Sequence, residues 1–258
     1  LELRFTERML TRFNEVIAAS AISPLDIQRS RILKIIFELR SSVRRLEKLG
    51  NTASFELIVR ASEAIRDYLH FELQDWTSIV YFEQAARSAC EALGDSVRLG
   101  QVLTSLAAAV VKLDGKHEDP IDLCKQGIAL LKPFGSAEQL AVAYGALGFV
   151  LRNQSKLAEA QHAYERALAF AETAGSTQLQ IRHIANLGTM FRYAKNFDEA
   201  GRLYEKALEI ARRTNDLRLV ALQLDQLGLV ARAQNRLSEA YKLHVEAFRL
   251  KVSTGERA

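Results

Sequence analysis

An echo with a period of forty residues runs through the second half of the chain. Leu147-Gly148 returns as Leu187-Gly188 and Leu227-Gly228, and each pair is followed by Ala160, Ala200 or Ala240 and then by Ala167, Ala207 or Ala247. A fixed period that brings small residues back to the same slots restricts the chain to stacked copies of one supersecondary unit, each burying its apolar face against the next. Such arrays make extended surfaces more readily than enclosed pockets.

Within each period, apolar residues recur at three- and four-residue spacings on both sides of a short polar break, which predicts two amphipathic helices per unit. The breaks are Asn153-Gln154-Ser155, Lys195-Asn196 and Gln234-Asn235-Arg236. Asn196 with Glu199, and Ser136 with Gln139, are spaced as capping boxes that open helices. Between units, Gly94-Asp95, Gly135-Ser136, Gly175-Ser176, Asn215-Asp216 and Gly255 recur, residue types that end helices in the left-handed conformation. That punctuation predicts five helix hairpins. The Gly and Ala slots are expected to let the two backbones of a hairpin approach closely, because a larger side chain there would overpack it.

These residues resemble the tetratricopeptide repeat: Leu-Gly, a small Ala twelve residues after the Gly, an aromatic at Tyr164 or Tyr204 with His244 in the last unit, then Ala three residues on. The resemblance covers residues 141 to 258. It departs from the usual repeat in length, as in the long variety of kinesin light chains and bacterial multidomain signalling regulators, and in lacking Trp at the fourth first-helix position, where Tyr144, Ile184 and Leu224 stand. It implies an all-α fold, an α-α superhelix: a right-handed solenoid of antiparallel helix hairpins whose concave groove binds a protein or peptide without catalysis.

Upstream the pattern decays. Ala107-Ala108 and Gly127 keep the register, so residues 96 to 135 read as a degenerate repeat with Pro120 near the start of its second helix, and Asp75-Trp76 through Gly94 as the second helix of another. Ser23-Pro24-Leu25-Asp26 is a helix start, for a helix running to about Leu49-Gly50, and residues 1 to 20 form a further helix. The expected organisation is an N-terminal helical segment or cap over 1–50, degenerate repeats over 51–140 and three well-formed repeats over 141–258, in one array. The chain begins at Leu1 without Met and stops at Ala258 after a second helix with no solvating cap. A segment of a larger multidomain signalling regulator, serving as its sensor, is therefore the alternative reading.

Composition narrows the function classes. The 258 residues hold only 3 Pro and 13 Gly, little punctuation for a β fold, and no apolar run long enough to span a bilayer, so a cytoplasmic protein without a membrane partner is expected. Residues 1–60 carry 11 Lys/Arg against 7 Asp/Glu, residues 61–140 carry 7 against 12, and residues 141–258 carry 17 against 12. An excess that modest and spread out gives no reason to expect nucleic acid. Cys90 and Cys124 make neither a disulfide framework nor a metal site and read as buried apolar side chains. Gly115-Lys116 lacks the upstream Gly of a phosphate loop, since Val110 stands there, and His117 follows where Ser or Thr is required. His70, His117, His162, His183 and His244 have no metal-ligand spacing. No cofactor and no enzymatic activity are expected.

One pattern is chemical. Four residues after each Gly stands Arg152, Arg192 or Arg232, and Lys112 continues the series upstream. On the concave side this slot shares a face with Phe149, Thr189 and Leu229, and with the row Ser105, Gly145, Ala185 and Asp225 as a floor; Arg182, Asn186, Tyr193 and Gln226 add hydrogen-bonding groups. A ladder of cations along a small or apolar floor suits an acidic peptide or partner. The competing reading is structural: each cation lies in the last turn of a first helix, where the helix dipole favours it, and Glu159, Glu199 and Glu239 recur as its partners.

Overall fold

The computed structural model describes residues 2–19, 25–113 and 117–254. The helix start at Ser23-Pro24, the Gly115-Lys116 pair and Gly255 lie outside the described residues. Those residues form helices α1 (Glu2–Ala19), α2 (Leu25–Leu49), α3 (Thr52–Asp67), α4 (Trp76–Leu93), α5 (Ser96–Val110), α6 (Pro120–Phe134), α7 (Ala137–Asn153), α8 (Leu157–Thr173), α9 (Thr177–Tyr193), α10 (Phe197–Arg213), α11 (Leu217–Ala233) and α12 (Leu237–Ser253), with one π-helical turn at Tyr68–Leu73 and no strand among them. They fall into two compact units, residues 1–134 and 135–258. In the first unit α1, α2 and α3 pack on one another around Phe13, Leu39, Val43, Leu46, Ile58 and Ile65, and the hairpins α3/α4 and α5/α6 follow; the second unit is the hairpins α7/α8, α9/α10 and α11/α12. Among the described residues there are five hairpins, the number that the punctuation predicts.

The polar breaks work by bending the backbone left-handedly at residues other than glycine. Ser155, Lys195 and Asn235 take φ near +60°, and the amide after each donates back to the helix, Lys156 to Leu151 at 2.9 Å, Asn196 to Phe191 at 2.9 Å and Arg236 to Ala231 at 2.8 Å. This ties off carbonyls that the helix end leaves without partners. Gly94 and Gly175 close their helices similarly, but Gly135, grouped with them by spacing, does not enter the left-handed region. The reason is local: the Ser136 amide that would donate back to α6 is bound by the Gln139 side chain at 2.8 Å, half of the capping box that opens α7.

The small slots act differently from expectation. A Cβ on Gly148 would stand 2.6 to 2.9 Å from the Tyr164 ring, one on Gly188 2.9 to 3.1 Å from the Tyr204 ring, and one on Gly228 2.7 to 3.0 Å from the His244 ring. In these hairpins the glycine clears a ring, and backbone does not meet backbone. Close backbone approach occurs instead in α5/α6, where a Cβ on Gly127 would lie 2.6 Å from the Gly100 carbonyl oxygen and one on Gly100 would lie 2.8 Å from that of Gly127. There Cys124 occupies the slot of Tyr164, so no ring holds the helices apart. Both cysteines are free and buried, and burial pushes each thiol up to about 12. They are core residues, as expected.

Successive hairpins join through a common core. Ile181 and Ile184 of α9, Ala207, Leu208 and Ala211 of α10, Val220, Ala221 and Leu224 of α11 and Ala247 of α12 form one buried cluster.

Candidate binding groove

In the second unit, first helices of neighbouring hairpins touch, α7 with α9 and α9 with α11, while the second helices α8, α10 and α12 do not touch one another. The first helices therefore line the inner side of the curve. Arg152, Arg192 and Arg232 each occupy the last turn of such a helix. There the helix dipole stabilises a cation by about 0.3 to 1 kcal/mol. Arg152 lies 5.2 Å over the Phe149 ring and Arg192 lies 5.1 Å over that of Tyr193.

The glutamates proposed to neutralise this ladder do not reach it. Glu199 pairs with Arg202 and Glu239 with Arg236, each within its own neighbourhood on α10 or α12, and among the described residues none of Arg152, Arg192 and Arg232 forms an ion pair. The Arg192 Nε is buried and lacks a hydrogen-bond partner. Half of the structural reading, the helix dipole, therefore stands; the other half does not.

The remaining candidates divide. Arg182, Asn186, Thr189 and Tyr193 follow one another at helical spacing on α9, with Arg182 and Tyr193 exposed and the other two half-buried; Gln226 and Leu229 take the Asn186 and Thr189 positions on α11. The Thr189 hydroxyl is used internally: it donates to the Ala185 carbonyl at 3.0 Å and lies 2.9 Å from the Tyr204 hydroxyl. Lys112 belongs to the first unit and lies beyond the end of α5, not within a last helical turn.

The row expected to form the floor is engaged inward. Ser105 donates to buried Glu83 at 3.0 Å, the His183 ring would meet a Cβ on Gly145 at 2.5 Å, and Asp225 takes both His244 at 3.0 Å and Lys251. These side chains pack the repeats together and leave the groove to the arginines and the residues one turn before them.

Three buried polar features belong to this packing. Glu83 is held bidentately by Arg66 at 2.6 and 3.3 Å. His183 and Gln223 stand forty residues apart at the slot where α7 has Ala143, all three are buried, and neither His183 nor Gln223 has a side-chain partner. Burial, aided by the Arg182 charge, pushes His183 down to about 4. The Tyr164 hydroxyl is also buried without a partner, because Phe149 stands where Thr189 serves Tyr204, and burial pushes it up to about 12. The register carried part of this signal: His183 and Gln223 are polar where the same slot holds Leu103 and Ala143 in the two preceding units.

Stacked antiparallel hairpins with a cation-lined inner face define a helical-repeat scaffold. The family model of the tetratricopeptide repeat matches residues 139–213 and 177–251, so this stretch is built of tetratricopeptide repeats. No curated protein matches the sequence. Among solved structures, the chain is similar to aspartyl phosphate phosphatase F from Bacillus subtilis, at 12% identity over 98% of this chain and 74% of that one, with a TM-score of 0.67. It is equally similar to a Rap protein complexed with Competence and Sporulation Factor, at 12% identity over 98% and 76%, TM-score 0.67. A signal transduction ATPase with a tetratricopeptide repeat sensor, from Pyrococcus horikoshii, is matched at 13% identity over 88% and 38%, TM-score 0.50. At these identities the likeness is one of fold. No described helix is long and apolar enough to cross a membrane.

Proposed function

We propose that the chain is a non-catalytic cytoplasmic binding protein whose second unit takes an acidic peptide, or an acidic segment of a partner protein, along the inner face of α7, α9 and α11. The observation that carries this reading is the ladder of Arg152, Arg192 and Arg232, which no carboxylate among the described residues neutralises. A charge-assisted hydrogen bond from such a group is worth about 1.5 to 3 kcal/mol when desolvated and well under 1 kcal/mol when it stays in water. Phe149, Thr189, Leu229, Asn186, Gln226, Arg182 and Tyr193 supply the flanking contacts. The same groove serves if the chain is the sensor part of a larger signalling regulator, the arrangement named for the Pyrococcus horikoshii protein.

The test is titration of a fluorescent Asp/Glu-rich peptide into the wild-type chain and into Arg192→Glu, with helical content and melting measured in parallel. The reading requires tight, salt-sensitive binding by the wild type and its loss in a folded variant. Equal binding by both proteins, or stronger binding of a single-stranded nucleic acid at the same salt concentration, would sink it.

A further inference from the structure

The rungs of the arginine ladder are not equivalent beneath the surface. Four residues after the small Ala of each second helix a ring lies against the first helix, Tyr164, Tyr204 or His244, and the three rings end differently. His244 spends Nδ1 on Asp225 at 3.0 Å, and the Tyr204 hydroxyl lies 2.9 Å from that of Thr189. Tyr164 is fully buried, and its hydroxyl finds no partner among the described residues. A buried donor left unmade carries the whole cost of its desolvation, so this group calls for an acceptor from elsewhere.

Its surroundings say what kind. Phe149, half-buried at the groove, stands over the Tyr164 hydroxyl as Thr189 stands over that of Tyr204. Burial dominates the acidity of the hydroxyl, and after burial the groups it feels are Arg152 and Tyr193, both on the groove. The Arg152 guanidinium rests 5.2 Å from the Phe149 ring, and that of Arg192 rests 5.1 Å from the ring of Tyr193. Arg192 brings a second orphan donor, its buried Nε, and Tyr193 is the neighbour common to both orphans. The seam of α7 and α9 thus gathers an O–H and an N–H without acceptors and two cations without carboxylates among the described residues. A set made of donors selects an anion, and a carboxylate, with about four lone-pair sites on two oxygens, can take all three side chains. The seam of α9 and α11 has no such set, because Tyr204 is already served by Thr189 and α11 carries the Asp225 carboxylate.

We infer that the groove has one principal anion subsite, on the seam of α7 and α9, where a single carboxylate side chain of the bound peptide accepts from Arg152, Arg192 and the Tyr164 hydroxyl once Phe149 has turned aside. The inference rests on the groove proposed above and says where along it the ligand's acid is read. Phe149 is the cover of the subsite. A carboxylate that draws Arg152 off the Phe149 ring removes a contact that holds the cover in place.

The test is titration of the fluorescent Asp/Glu-rich peptide into single variants, with the melting of each followed in parallel. Tyr164→Phe is expected to weaken binding about tenfold at an unchanged melting temperature, and Tyr204→Phe to lower melting while leaving binding within about twofold. Arg152→Gln is expected to cost about tenfold more in affinity than Arg232→Gln. In a Phe149→Thr background, where a hydroxyl serves Tyr164 as Thr189 serves Tyr204, Tyr164→Phe should no longer alter binding. Binding by Tyr164→Phe equal to that of the wild type, alongside its loss in Arg192→Glu, would overturn the subsite and leave the groove standing, and so would equal costs at Arg152 and Arg232. A wild type that binds no acidic peptide would remove both.

Discussion

The hairpins α5/α6 and α7/α8 are built on the same register but close in opposite ways. In α7/α8 the Tyr164 ring lies on Gly148 and sets the distance between the helices; in α5/α6 the corresponding side chain is the thiol of Cys124, and the backbones close until Gly127 and Gly100 touch. A repeat can thus satisfy its packing with a large side chain against a glycine or with two glycines against each other. What it cannot do is change one member alone.

The contrast can be broken in several places. Gly127→Val drives a Cβ carrying two methyl groups against a carbonyl oxygen that has no rotamer with which to yield, and should destabilise the first unit by about 4 kcal/mol in calorimetric unfolding. Acid should act on the second unit. His183 is neutral in the fold, pushed down from 6.5 to about 4, so its contribution is complete above pH 6.5 and lost as pH falls toward 4. The loss amounts to about 3 kcal/mol by pH 4, and His183→Leu should flatten that slope. The buried thiols of the first unit are uncharged throughout that range and add no such slope. Gly148→Ala should cost about 2 kcal/mol, yet close to nothing further in a Tyr164→Cys background, because the atom it strikes has gone. Smallest is the pair of hydroxyl deletions: Tyr204→Phe loses its bond to Thr189 and about 1 kcal/mol, whereas Tyr164→Phe, with no bond to lose, leaves stability unchanged. Equal costs at the two tyrosines would mean that the Tyr164 hydroxyl is satisfied.

Much of this architecture was legible because repetition makes the period audible above residue noise. The polar breaks, the N-cap at Ser136 and the helix opening at Trp76 all sit where spacing put them. What spacing could not supply was direction. It placed Gly148 and Ala160 in one hairpin without saying that the glycine faces Tyr164, and it placed Ser105, Gly145 and Asp225 in one row without saying that each turns toward a partner within the protein. The groove was legible to the same degree: the arginine ladder follows from the period, but the absence of partners for it depends on where Glu199 and Glu239 point. Arg202 and Arg236, a single helical turn away, capture them. Lys112 continues the series in sequence only, since α5 ends before it.

The left-handed turns of the second unit bear on its mechanics. Of the five such joints among its described residues, four bend at Ser155, Lys195, Asn215 and Asn235, residues whose side chains leave few alternatives, and one bends at Gly175. A glycine joint is soft and the other kind is stiff. Compliance is thereby concentrated at the junction of α8 and α9, and if the inner face tightens over a ligand, that is the seam along which it should give; Gly175→Asn would stiffen it, read as slower amide exchange across residues 173 to 177.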